Sequence, residues 1–138
     1  MANDVKRLTQ ALYGMFSSGD LSAVDELVSP DLVDHESVAG IAGTGPEVFR
    51  QLVTTFRSAF PDLNLSIIDM IADGDRVAVR FQMTGTHEGE FVGIPPTHRR
   101  FQITAYDIVR WEDEYAVEHW GQGDDLAMLQ QLGLLPQP

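Results

Sequence analysis

Apolar residues in the first twenty positions fall at three- and four-residue spacing. Val5, Leu8, Leu12, Met15 and Phe16 line one face of a helix predicted over 4–18, which Ser17-Ser18-Gly19-Asp20 ends. A short second helix is predicted over 21–28, stopped by Pro30, so the chain opens as a helical hairpin. Residues 31–44 read as a loop carrying Asp34 and His35. Gly45-Pro46-Glu47 then starts a third helix, with proline where a missing N–H costs nothing. Its apolar stripe is Val48, Phe49, Leu52, Val53, Phe56 and Phe60, and Pro61 stops it.

From Leu63 the period changes to two. Leu63, Leu65, Ile67 and Asp69 alternate as far as the Asp73-Gly74-Asp75 turn, and Val77, Val79, Phe81 and Met83 mark the returning strand. A connection rich in glycine and proline, 85–98, leads to two further strands. Phe101, Ile103, Ala105, Asp107, Val109 and Trp111 share a face of the first, and Tyr115, Val117, His119 and Gly121 share one of the second. Asp124-Asp125 precedes a closing helix built on Leu126, Met128, Leu129 and Leu132 and ended by Gly133. Helices followed by a run of antiparallel strands predict an α+β domain over 1–138. Its curved antiparallel sheet wraps around the helices and encloses an apolar pocket.

The 138 residues suit a single core. A net charge of -12 repels phosphate backbones, which excludes nucleic acid as a partner class. The absence of cysteine excludes thiolate catalysis and disulfides. No run approaches the ~20 apolar residues that span a bilayer, so no membrane partner is expected and the location read is cytoplasmic.

The chemistry concentrates on ionisable groups in apolar company. Asp107 sits among apolar neighbours, where a carboxylate needs a partner or a raised pKa. It is a candidate general base, or a buried carboxylate held by backbone N–H groups or by Arg100 or Arg110. His119 is placed to hydrogen-bond Asp107 across the strand pair, or is a structural histidine. Asp124 is an N-cap candidate that could also hold His119 in one tautomer. His87 and His98, in the glycine-rich connection, are read as surface residues. The histidines and acids show no metal-ligand spacing, so no metal is expected. Phe16, Phe49, Phe60, Phe91, Ile103 and Trp120 are the candidates for apolar substrate contact.

The segments AFPDLNLSIIDMIADGDRVAVRF, GTHEGEFVGIPPTHRRF and EHWGQGDDLAMLQQLG resemble the SnoaL-like polyketide cyclase family, within the nuclear-transport-factor-2-like superfamily. The resemblance implies a cone-shaped barrel and a conical pocket for a small-molecule aromatic substrate, a polycyclic polyketide or similar compound. His35 would border the pocket mouth. It further implies a cofactor-free ring closure by intramolecular aldol reaction. Alternatives are hydroxylation with a reductase partner, or a binding module that only holds a hydrophobic ligand. A homodimer is expected. In one respect the chain departs from the ester cyclases, which it resembles around Glu118-His119. They carry an acid/base aspartate two residues after the histidine, where this chain has Gly121. Asp107, His119 and Asp124 form a set similar to the hydroxylase-type members.

Overall fold

The structure is a computed structural model that describes residues 2–36, 38, 40, 41 and 43–136. Helices α1 (Ala2–Ser18), α2 (Val24–Leu27) and α3 (Pro46–Ala59) flank strand β1 (Val28–Asp34) in sequence. Strands β2 (Asn64–Asp73), β3 (Arg76–Thr86), β4 (Arg100–Glu112) and β5 (Tyr115–Gly123) follow, and α4 (Asp125–Gln131) closes the chain.

The five strands form one sheet in the order β1-β5-β4-β3-β2. Only the β1–β5 pair is parallel. The sheet curls around the helices but does not close, because β1 and β2 are edges that do not pair with each other. The cone is therefore an open one rather than a sealed barrel.

Strand β1 is a departure from the predicted 31–44 loop, and it shortens the second helix at its C-terminal end. Pro30 reads as a stop, but it is tolerated because β1 is an edge strand, where a missing N–H breaks little. Gly45, the N-cap of α3, has φ 81°, and a Cβ there would lie 2.8 Å from the Pro30 carbonyl oxygen, so only glycine fits.

Two bulges reset which side chains face inwards. Ile67 pairs with Phe81 and Asp69 with Arg80, leaving Ile68 extra; Asp69 is thereby turned outwards, where Arg80 Nη2 meets its Oδ2 at 2.7 Å. In β5, Ala116 pairs with Trp111 and Glu118 with Arg110, leaving Val117 extra. The inner face of β5 is therefore Ala116, His119, Gly121 and Gly123 rather than the Tyr115–Val117–His119 row. Regular alternation from Tyr115 cannot anticipate this slip.

The core lies between the inner sheet face and helices α1 and α3. Leu12, Tyr13 and Met15 of α1 and Val48, Phe49, Leu52, Val53 and Phe56 of α3 are buried against Val77, Val79, Phe81, Ile103 and Val109. Trp111 is fixed in it by donating from Nε1 to the buried Thr9 hydroxyl at 3.0 Å. His98 is exposed, but His87 is fully buried rather than on the surface. Its ring packs 5.5 Å from Phe60, and its Nδ1 accepts the Thr97 N–H at 3.2 Å. The glycine-rich connection thus folds back onto the core.

Candidate active site

A cavity opens between the helices and the inner face of the sheet. Most of its wall is apolar: Leu12, Phe16, Phe49, Leu52, Phe56, Leu65, Phe81, Met83 and Ile103 contribute to it. Tyr13, Asp34, Glu36, Asp107, His119 and Asp125 add polar groups. Ligand pockets commonly pair an apolar wall with a few convergent polar groups.

Four elements bring the central groups together. Asp107 lies opposite Gly121 in the β4–β5 ladder, and His119 lies opposite Val109. Both side chains point inwards, and His119 Nε2 reaches Asp107 Oδ2 at 2.9 Å. The parallel pairing of β1 sets Asp34 beside His119, and His119 Nδ1 reaches Asp34 Oδ1 at 2.8 Å. From α1, the Tyr13 hydroxyl donates to the same Asp107 Oδ2 at 2.5 Å. Asp107 is only 7% exposed and thus needs these partners.

The electrostatics follow. Burial opposes a charge on His119, but its hydrogen bonds to Asp107 and Asp34, and their charges, win and push its pKa up to about 10. At neutral pH it is an imidazolium whose two N–H groups each donate to a carboxylate. Burial, and then the Asp107 charge, hold the Tyr13 hydroxyl well above its usual pKa, so it stays a donor.

Glu36 follows β1 on the turn that Asp34 caps, where Asp34 Oδ1 accepts the Glu36 N–H at 3.0 Å. Its carboxyl extends over Gly121. A Cβ on Gly121 would lie 2.4 Å from Glu36 Oε1 and 2.6 Å from Asp107 Oδ1. Glycine at 121 is thus the space into which two carboxyl groups converge. Burial, and then the Asp107 charge, push the Glu36 pKa up to about 7, with His119 opposing.

The remaining candidates are placed as follows. Phe16, Phe49 and Ile103 line the cavity. Phe60 and Phe91 do not: they pack 5.3 Å apart in an aromatic cluster that also holds Phe56, Phe101 and His87, with Phe60 fully buried. Trp120 lies on the opposite face of the sheet, a consequence of strand alternation next to an inward His119. There it stacks on His35 at 5.0 Å and 12°, with the Arg76 guanidinium 5.4 Å from its ring. His35 also meets Glu118 Oε2 at 2.8 Å, so it is engaged outside the cavity. Asp124 caps α4, accepting the Ala127 N–H at 3.2 Å, and the carboxylate on His119 Nδ1 is Asp34 instead. Arg110 reaches Glu118 and Glu112 rather than Asp107.

Three site residues carried weak signals in the sequence. Tyr13 reads as one more aromatic on a helix stripe. Asp34 and Glu36 sit in a stretch read as loop, and only the parallel β1–β5 pairing turns them inwards. The Asp-x-Glu spacing after an apolar pair was the available cue.

Glu36, Asp107 and His119 offer ligand atoms within 4.8 Å of one another, so this is where a cation would be held. The donor set fits one poorly. His119 Nε2 and the Tyr13 hydroxyl both point their hydrogens at Asp107 Oδ2, and a raised histidine pKa opposes the neutral imidazole that metals bind. Among the described residues no helix is long and apolar enough to cross a membrane.

Comparison with known proteins gives one consistent result. The family model of SnoaL-like polyketide cyclases matches residues 4–132. Nogalonic acid methyl ester cyclase from Streptomyces nogalater is 32% identical over 123 residues, covering 88% of this chain and 92% of that one. The crystal structure of IdmH, a candidate polyketide cyclase from Streptomyces antibioticus, superposes with a TM-score of 0.81 at 38% identity over 94% of this chain and 98% of its own. AclR, a candidate hydroxylase from Streptomyces galilaeus, gives 0.84 at 31% identity, covering 100% of this chain and 86% of its own.

Proposed function

We propose that this chain, which belongs to the SnoaL-like polyketide cyclase family, closes a ring in a polycyclic aromatic polyketide by an intramolecular aldol reaction. The chemistry needs acid/base groups and no cofactor. The observation that carries this reading is the Tyr13–Asp107–His119–Asp34 network set into an apolar cavity. Similarity to a nogalonic acid methyl ester cyclase supports the substrate class.

Asp107 is the base in this proposal. Its Oδ2 is committed to Tyr13 and His119, which leaves Oδ1 to take the proton next to a carbonyl. The enolate so formed attacks a second carbonyl held nearby. The His119 imidazolium supplies positive charge beside the reacting atoms, fixed in place before the reaction begins. Phe16, Phe49 and Ile103 hold the aromatic rings and exclude water.

A second reading is supported by the similarity to AclR. There Asp107 would deprotonate an electron-rich aromatic substrate, which then reacts with oxygen, and a reductase partner would supply two electrons. A homodimer is part of the proposal. Ile71, Tyr106 and Ile108 are 72%, 58% and 40% exposed on the outer face of the sheet, an apolar surface suited to a second copy. An acidic chain without cysteine suits a cytoplasmic location.

Asp107→Asn and His119→Ala test the assignment. Lost turnover with affinity retained supports a catalyst over a binding module. Normal turnover by both variants would remove Asp107 and His119 from the mechanism.

A further inference from the structure

Two carboxyl groups on the cavity wall are outside the network above: Asp125, which is exposed, and Glu36, which is half-buried. Asp107 Oδ2 takes Tyr13 and His119, and Asp34 Oδ1 takes His119 and the Glu36 N–H. The Glu36 carboxyl lines the same cavity, and its oxygens make no hydrogen bond among the described residues. It is not displaced to the surface. It leans over Gly121, where the absent side chain leaves a gap shared by Glu36 Oε1 and Asp107 Oδ1. A half-buried carboxyl group that has no hydrogen-bond partner among the described residues, beside the free oxygen of the base, has a structural cost and no structural return.

We propose that Glu36 is a second catalytic carboxyl group, the one that protonates the alkoxide formed when the ring closes. The inference rests on the ring-closing reading and assigns its acid step. In the reaction, Asp107 Oδ1 takes the proton from carbon and the C–H electron pair becomes the enolate. The enolate carbon bonds to the second carbonyl carbon, whose π pair moves to oxygen. Glu36 gives that oxygen its proton, and a hydroxyl results. The protonated Asp107 then returns its proton to the Glu36 carboxylate across the space above Gly121. No atom or electron is gained or lost, and both groups are reset.

The groups around Glu36 favour this role. Asp107 from β4, Asp34 from β1 and Asp125 from α4 face it with negative charge, and His119 from β5 opposes them; Tyr13 from α1 stays neutral. With burial, the balance puts its pKa at about 7, so a large share of the protein carries the proton at neutral pH. Asp34, tied to two donors, is not free to move one.

The test uses nogalonic acid methyl ester, the compound for which the Streptomyces nogalater relative is named. Ring closure is followed from pH 5 to 9 for the wild type, Glu36→Gln and Glu36→Asp. Glutamine is nearly the same shape, and a cooperative melt establishes that each variant folds. The proposal expects wild-type kcat to fall as pH rises through about 7. It expects Glu36→Gln to lose about 100-fold or more in kcat with KM unchanged and that limb abolished. Glu36→Asp, which keeps a carboxyl, regains part of the rate. An active wild type with an unchanged Glu36→Gln rate and profile overturns the role of Glu36 and leaves the ring-closing reading standing. A wild type that leaves the ester unchanged overturns that reading, and the role of Glu36 with it.

Discussion

His119 donates to Asp107 Oδ2 across 2.9 Å although the two residues are not cross-strand partners. Asp107 faces Gly121, and His119 faces Val109, one inward position along. The contact is diagonal. The missing side chain at position 121 leaves room for Asp107 Oδ1 and for the Glu36 carboxyl, which converge on the space a Cβ would fill.

Asp107→Asn tests the charge. The amide keeps the volume but removes the negative charge that holds His119 protonated, so the His119 pKa should drop from about 10 towards 6.5. Turnover should fall by about 10²–10⁴-fold with little change in ligand affinity. Imidazole nitrogen shifts in NMR report the first effect, and kinetics with calorimetry the second.

Tyr13→Phe removes one of the two donors to a buried carboxylate oxygen. A hydrogen bond to a charged group is worth about 1.5–3 kcal/mol, and His119 remains to satisfy the oxygen, so a loss near the lower figure is expected. Urea unfolding at neutral pH measures it.

The pH dependence of stability has a fixed sign. The folded protein holds the His119 proton up to about 10, whereas the unfolded chain releases it near 6.5. The stabilisation is complete below 6.5 and drains away as pH rises towards 10. Glu36 adds the same sign between 4.5 and about 7, because its pKa is also raised on folding. Denaturant midpoints should fall from pH 5 to 10, and Glu36→Gln should flatten the part below 7.

Gly121→Ala should hurt through contact alone. The φ angle at 121 is not in the left-handed region, but a Cβ would meet the Glu36 and Asp107 oxygens at 2.4 and 2.6 Å. Glu36 can swing away, whereas Asp107 is pinned by two hydrogen bonds. A loss of about 1–3 kcal/mol is expected. In a Glu36→Ala background the cost should shrink by at least about 0.5 kcal/mol, which a double-mutant cycle reads directly.

The outer sheet face gives a test of assembly. Ile71→Asp with Tyr106→Glu places charges on its apolar surface and should convert a dimer to monomers without lowering the melting point of the fold. Analytical ultracentrifugation distinguishes the two states.

Much of this molecule was legible in its sequence. The amphipathic stripes of α1 and α3, the Asp73-Gly74-Asp75 turn and the alternation of β3 and β4 give the α+β class and set Asp107 on an inner face. These patterns follow from local periodicity. The parts that were hidden depend on distant pairing. Strand β1 has few apolar residues and a proline, and it is a strand only because β5 lies alongside. Asp34 and Glu36 enter the site through that pairing. The bulge at Val117 changes which residues of β5 face inwards, and His35 and Trp120 stack on the opposite face, outside the cavity. Asp124 has a local role, capping α4, that its position before a helix already suggested.

The central claim is that this protein closes a ring and adds no atoms. The most direct test is the mass of the product formed from an anthraquinone-type polyketide ester in air by purified protein, without and with a thiol reductant that can supply the two electrons hydroxylation requires. A product of unchanged mass with a new carbon–carbon bond, absent from the protein-free control, is the result predicted here. A product heavier by one oxygen atom would contradict it and place the chain with the hydroxylases.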